Sequence, residues 1–264
     1  MSKTTTLSEW IETLPADGRY TFTRAEAEAA SGASFVAVQT ALRRLKKKGR
    51  IVTPWRGYYV FVPPEHRAAG APPPSWFIDD LMEHCGRKYY VGLLSAAALH
   101  GAGHQQPMLF QVFADKTTPS MAAGRARIKI YSSHHVDRAA TVEIQTETGS
   151  MIVGSPETIA FDLVRFPQEA GFWSNVATVL LELADKLSPG QLVSTAEARK
   201  LSDSQRLGFL LSAIEKEHLA EPLAKWLSKR RTTIIPLRRD RPKNSHDVDA
   251  RFRMIPNEEL ELDL

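Results

Sequence analysis

The chain has 264 residues, room for two domains or one large one, with hydrophobic (43%) and charged (24%) fractions ordinary for a globular protein. Its one cysteine, Cys85, excludes an intrachain disulfide and a four-thiolate zinc site, and the opening MSKTTTLSEWIETL has no apolar export segment. The formal charge of +4 is unevenly spread: residues 1–70 carry +5, 71–224 carry −4 and 225–264 carry +3, so the N-terminal segment offers a footprint for a polyanion that the middle does not.

Ser8–Leu14 predicts a short helix capped by Ser8, with Trp10, Ile11 and Leu14 inward and Pro15 and Asp17-Gly18 as its stop. Thr23-Arg24-Ala25-Glu26 has capping-box spacing and opens an alanine-rich helix that Gly32 ends. Ser34 caps the next helix, where Phe35, Val38, Ala41, Leu42 and Leu45 form the apolar stripe and Thr40, Arg43, Arg44 and Lys47 face away. Arg50–Thr53 and Tyr58–Val62 read as a hairpin turning at Arg56-Gly57. Helix, turn, helix and hairpin in this order outline a winged helix-turn-helix over residues 1–62.

Residues 63–74 hold five of the 16 prolines and read as a semi-rigid linker. A larger mixed α/β domain is expected over 75–231, giving an α/β (mixed α+β) chain whose second half is helical. Its predicted parts are a capped helix at Ser75–His84, a buried helix at Tyr89–Leu99, and strands at Phe110–Ala114, Arg127–Ser132, Thr141–Thr146 and Met151–Val153. A Pro156-led helix through Val164 follows, then four helices between Phe172 and Leu227, broken at Ser188-Pro189-Gly190, Leu201-Ser202-Asp203 and near His218. Residues 232–264 form a charged tail with one β-prone run, Thr232–Leu237. The longest nearly apolar stretch, Tyr89–Leu99, is far short of the roughly 20 residues that span a bilayer, so we expect a cytoplasmic protein without a membrane partner.

The residues that carry chemistry cluster at the front. Arg43, Arg44, Lys46, Lys47, Lys48, Arg50 and Arg56 occur without an acidic residue anywhere between Ala29 and Pro64. A lysine run is most often a solvated face; the single sign, the helix–hairpin order and the N-terminal placement favour duplex DNA here. Thr40, Arg43 and Arg44 are candidates for base edges or nearby phosphates, Lys47, Lys48 and Arg50 for phosphates, and Arg56 for the wing tip. Trp55, Tyr58 and Tyr59 could touch sugars, but packing of the wing is expected of at least two. A second basic cluster, Lys229, Arg230, Arg231, Arg238, Arg239 and Arg241, reads either as another polyanion contact or, preferably, as a helix end followed by a solvated tail.

No metal or other cofactor is expected. His100 and His104 flank two glycines and lack a supporting Cys/His framework, and His134-His135 reads as surface. There is no GxSxG, no GxxxxGK[ST] and no GxGxxG after a strand, so no catalytic residues and no enzyme are expected. Asp162 reads as a structural acceptor and Cys85 as incidental.

Three stretches together resemble the AbiEi-type antitoxins of abortive-infection (type IV) toxin–antitoxin systems. They are the winged helix with Arg50-Ile51-Val52 and Gly57-Tyr58-Tyr59-Val60, the run from Tyr89-Tyr90-Val91-Gly92 to Leu99-His100-Gly101, and Ser155-Pro156-Glu157-Thr158-Ile159-Ala160-Phe161-Asp162-Leu163. The resemblance spans roughly residues 5–200. It implies an autoregulating antitoxin in phage defence. The winged helix would bind double-stranded DNA at inverted repeats in its own promoter, and the C-terminal domain would counter a cognate nucleotidyltransferase toxin. The other class left open by the residues is a ligand-responsive winged-helix transcription factor with no toxin partner, its effector near Tyr89, Tyr90 and His100.

Overall fold

Helix α1 (Leu7–Thr13) is capped two residues earlier than its apolar pattern suggests, because Thr6 and Glu9 form a reciprocal capping box and displace Ser8 as cap. The computed structural model describes residues 6–103, 109–241 and 248–262. The chain is a mixed α/β protein in two units: Met1–Tyr90 with Met108–His134 and Glu143–Ile152, and Val91–Pro107 with His135–Val142 and Val153–Leu264.

In the first unit, strand β1 (Thr21–Thr23) leads into α2 (Arg24–Ser31), where Thr23 and Glu26 make the second capping box. Helix α3 (Phe35–Lys47) follows, then β2 (Ile51–Trp55) and β3 (Tyr58–Phe61). The three strands form an antiparallel sheet in the order β1-β3-β2, which is winged helix-turn-helix topology. Leu7, Ile11, Leu14, Phe22, Ala27, Val38, Leu42, Leu45, Ile51, Tyr59 and Phe61 make its core. Phe22 stacks on Tyr59 at 5.3 Å and meets the edge of Trp10 at 5.4 Å.

Residues 63–74 pack closely. Ala71 is buried, and Gly124 lets the backbone at Ala69–Ala71 approach so tightly that a Cβ there would overlap it. The Arg125 amide donates to the Ala69 carbonyl at 2.8 Å, and Trp76 makes edge contacts with the rings of Tyr20 and His66. Helix α4 (Ile78–His84) comes next without a side-chain cap; a 3₁₀ turn at Pro74–Trp76 precedes it.

The predicted helix at Tyr89–Leu99 is in fact two elements, strand β4 (Tyr89–Val91) and helix α5 (Leu93–Leu99), divided by an extended Gly92. Two tyrosines and a valine favour a pleated surface over a helix, and β-propensity wins for these three residues. Strands β5 (Leu109–Ala114), β6 (Met121–Ala123), β7 (Ala126–Ser132), β8 (Thr141–Thr146) and β9 (Gly149–Gly154) complete a six-stranded sheet in the order β6-β7-β5-β4-β9-β8. β5 and β7 run parallel through six residue pairs, whereas β6 and β7 form an antiparallel hairpin.

The second unit is helical. Helix α6 (Pro156–Arg165) starts at Ser155, whose hydroxyl accepts from the Thr158 amide at 3.2 Å, and all of Glu157–Val164 is buried. Around it lie α5, α7 (Phe172–Leu183), α8 (Pro189–Glu197) and α9 (Leu201–Ala213), with α10 (Glu217–Ser228) packed on α8 and α9. The four predicted helices are present, but Leu201-Ser202-Asp203 opens α9 instead of separating two helices.

The described part of residues 232–264 is not a solvated tail. Strands β10 (Ile235–Pro236) and β11 (Met254–Ile255) pair in parallel, and Leu237, Phe252, Met254 and Ile255 are buried. Buried polar groups of α9 hold this segment. The Gln205 amide donates to the carbonyls of Thr233 (2.9 Å) and Phe252 (2.8 Å), and the Arg206 guanidinium to those of Pro236 (3.2 Å) and Leu237 (3.4 Å). The residues Pro236, Leu237 and Phe252 are buried, so without these donors their carbonyls would lack partners, which explains why polar residues occupy the inner face of α9.

Candidate nucleic-acid interface

Helix α3 is amphipathic by sequence, and its polar side is the candidate surface. Val38, Leu42 and Leu45 point into the core, which leaves Val36, Gln39, Thr40, Arg43, Arg44, Lys46, Lys47 and Lys48 exposed. Ser34 starts the helix by accepting from the Ala37 amide at 3.4 Å, and Arg44, Lys46 and Lys47 fall in the last turn, where the helix dipole favours cations. Phe35, expected in the apolar stripe, is 53% exposed. It lies at the first helical position, beyond the reach of the core, and the Arg24 guanidinium sits 5.5 Å from its ring centre.

The wing is short and held from behind. Trp55 pairs with Tyr58 across a two-residue turn, Arg56-Gly57, in which Gly57 takes a left-handed φ of 79°. The Arg24 amide donates to the Gly57 carbonyl at 3.0 Å, and His84 Nε2 lies 3.3 Å from the Arg56 carbonyl. Tyr58 is buried against the His84 ring and donates its hydroxyl to the Phe77 carbonyl at 3.3 Å; burial and the nearby Asp80 push its pKa well above the ordinary tyrosine value. Tyr58 and Tyr59 therefore pack the wing, while the Arg56 side chain stands exposed at the tip.

The structure brings the sequence-predicted cations together on α3 and the wing, and it sorts them. Among the described residues no carboxylate lies within ion-pairing distance of Arg43, Arg44, Lys46, Lys47, Lys48 or Arg56. Arg50 differs: its guanidinium reaches Glu12 on α1 at 2.6 Å and is only partly exposed, so its charge is largely offset. The Thr40 hydroxyl donates to the Val36 carbonyl at 2.8 Å and retains its lone pairs for an external donor.

The second basic cluster is dispersed by internal contacts. Arg238 bonds Asp240 at 2.9 Å and Glu258 at 3.0 Å, and Arg241 reaches the same Glu258 at 2.7 Å. Arg230 stacks 3.7 Å over the Trp226 ring and donates to the Trp226 carbonyl. Lys229, Arg231 and Arg239 are exposed; the pairing of Arg238 and Arg241 rests on a glutamate far along the chain that a local reading of charge cannot supply.

The groups considered for an effector site have internal partners. The Tyr89 hydroxyl donates to Asp79 at 2.7 Å and accepts from the Ile152 amide, fully buried Tyr90 stacks on Phe113, and His100 Nε2 lies 2.9 Å from the Gly154 carbonyl. His104 lies outside the described residues, among which no group of His, Cys, Asp and Glu could hold a metal. Burial pushes the Cys85 thiol up in pKa, opposite to an activated cysteine. Asp162 is a structural acceptor, bonded to Arg199 at 2.8 Å with both side chains buried. No helix among the described residues is long and apolar enough to cross a membrane.

With this geometry in place, the comparisons with known proteins divide the chain in the same order. A family model described as a transcriptional regulator, AbiEi antitoxin, matches residues 11–62, and the AbiEi antitoxin C-terminal domain matches residues 90–213. These matches support the roles of antitoxin and DNA-binding regulator. The crystal structure of the RV2827C protein from Mycobacterium tuberculosis aligns with a TM-score of 0.69 at 18% identity, covering 94% of this chain and 89% of that one, a likeness of fold. No curated protein matches the sequence.

Proposed function

We propose that this chain, which belongs to the AbiEi antitoxin family, is the antitoxin of a type IV toxin–antitoxin pair acting in the cytoplasm in phage defence. Its winged helix, residues 1–62, binds inverted repeats in its own promoter and represses it. The rest of the chain neutralises a cognate nucleotidyltransferase toxin. The observation that carries the DNA half is the set of cations without ion-pair partners among the described residues, Arg43, Arg44, Lys47, Lys48 and Arg56, on one exposed helix and the adjoining hairpin tip. A duplex carries one negative charge per about 1.7 Å of axis, so each such cation that meets a phosphate releases a counterion and adds affinity. The helix enters the major groove and Arg56 reaches the neighbouring backbone. Neutralisation of the toxin needs no stable complex.

Co-expression tests the antitoxin half. The adjacent gene product alone should arrest growth, and this chain should restore it. Absence of arrest would instead favour a transcription factor without a toxin.

A further inference from the structure

The free cations of α3 all lie in its C-terminal half: between Ala29 and Leu42 no side chain is charged. Phosphate contacts fix position and carry no sequence information, so charge accounts for how the helix is held and leaves open what it reads. The N-terminal half presents different chemistry on the same face. Val36, Gln39, Thr40, Arg43 and Lys47 follow i, i+3, i+4, i+7 and i+11 spacing, opposite the buried row of Val38, Leu42 and Leu45.

Val36 is 68% exposed, more than any other large apolar side chain among the described residues. It is a poor helix former, and it adjoins the half-exposed Phe35. The Gln39 carboxamide is exposed and has no partner among the described residues. The tip that carries them is fixed: Ser34 caps it, Thr40 bonds back to Val36, and Arg24 over Phe35 ties it to α2. From Val36 to Lys47 the row is roughly 16 Å long, and the major groove is about 12 Å wide. A row of that length is long enough to set one end against base edges and the other on the phosphate wall.

We infer that Gln39 and Val36 are the residues through which this chain reads sequence. The Gln39 carboxamide accepts from N6 and donates to N7 of an adenine, and the Val36 methyls pack on the C5-methyl of a thymine in a neighbouring pair. The half-site they select contains adjacent A·T pairs. This inference rests on the winged helix binding duplex DNA.

The test is selection from a randomised 20-base-pair duplex library by the intact chain, Gln39→Ala and Val36→Ala, with affinities measured on the winning duplex and on random duplex. The wild type should enrich adjacent A·T pairs. Gln39→Ala should lose about tenfold or more in preference at one of them while its affinity for random duplex stays within about twofold, as expected where Lys and Arg supply the non-specific binding. Replacing the contacted thymine by deoxyuridine should weaken the wild type by about two- to fivefold and leave Val36→Ala unaffected, the coupling expected of two groups in contact. Unchanged base preferences in Gln39→Ala, or equal sensitivity of wild type and Val36→Ala to the missing methyl, would overturn the assignment. Failure of the wild type to bind any duplex at low salt would overturn the DNA-binding reading itself.

Discussion

Removing one free cation from α3 should change the salt dependence of DNA binding by a fixed amount, and removing Arg50 should not. Arg43, Arg44, Lys47, Lys48 and Arg56 are exposed without ion-pair partners among the described residues, whereas Arg50 is bound to Glu12 at 2.6 Å. If those five each neutralise a phosphate, log K falls against log salt with a slope of about −4.5, and Lys47→Ala brings it to about −3.6. Between 50 and 200 mM salt the wild type then loses about 500-fold in affinity and Lys47→Ala about 150-fold. Arg50→Ala should keep nearly the wild-type slope and cost at most about 1 kcal/mol of stability, the range of a partly exposed ion pair. Fluorescence anisotropy on a labelled duplex from the chain's own upstream region, with thermal unfolding of each variant, reads both quantities. A wild-type slope in Lys47→Ala, or a larger slope change in Arg50→Ala, would refute the sorting of cations made here.

Other outcomes follow from the second unit. Gly208→Ala places a Cβ in overlap with the edge of the Phe252 ring; such overpacking costs about 1–3 kcal/mol, and limited proteolysis should show faster cleavage within residues 232–262, an unchanged pattern being contrary. Asp162→Ala removes one half of the buried Asp162–Arg199 ion pair and should cost about 3–5 kcal/mol in urea unfolding; a loss under about 1 kcal/mol would contradict a structural role. Asp203 has a carboxyl pKa raised by burial, only partly countered by Arg165 and Arg206. The folded state therefore binds this proton more tightly than the unfolded chain, and stability falls as pH rises from the unfolded carboxyl value through the raised one. Asp203→Asn should thus melt above the wild type at pH 7 and lose that advantage toward pH 4, whereas an advantage that grows on acidification would reverse the assigned direction.

The front of the molecule was legible because its signals are local. Thr23 and Glu26 form the capping box that their spacing implies, α3 buries Val38, Leu42 and Leu45 as its period requires, and Gly57 makes the hairpin turn. Local reading also has a characteristic failure. Ser8 was the expected cap, but the reciprocal bonds of Thr6 and Glu9 make Thr6 the cap instead. Phe35 continued the apolar stripe on paper but sits where the helix has no core beneath it. The three-residue β6 is too short to show a period, and its partner β7 defines it.

What was hidden depends on partners distant in sequence. Arg50 meets Glu12 38 residues earlier, and Arg238 meets Glu258 20 residues later. The charge run alone cannot show that either is engaged. Gln205 and Arg206 read as ordinary polar helix residues, yet they are the donors that hold Thr233, Pro236, Leu237 and Phe252 against the second unit. Gln39 and Val36 escaped notice for the opposite reason. They carry no charge, and only their exposure beside an otherwise cationic row marks them.

The most direct measurement of the central claim separates the two activities in one strain. A reporter driven by the chain's own upstream region is combined with the adjacent gene, and the wild type is compared with an Arg43→Ala/Lys47→Ala variant. The wild type should both repress the reporter and restore growth, while the variant restores growth but no longer represses. Repression undiminished in the variant would contradict the assignment of DNA binding to the exposed face of α3.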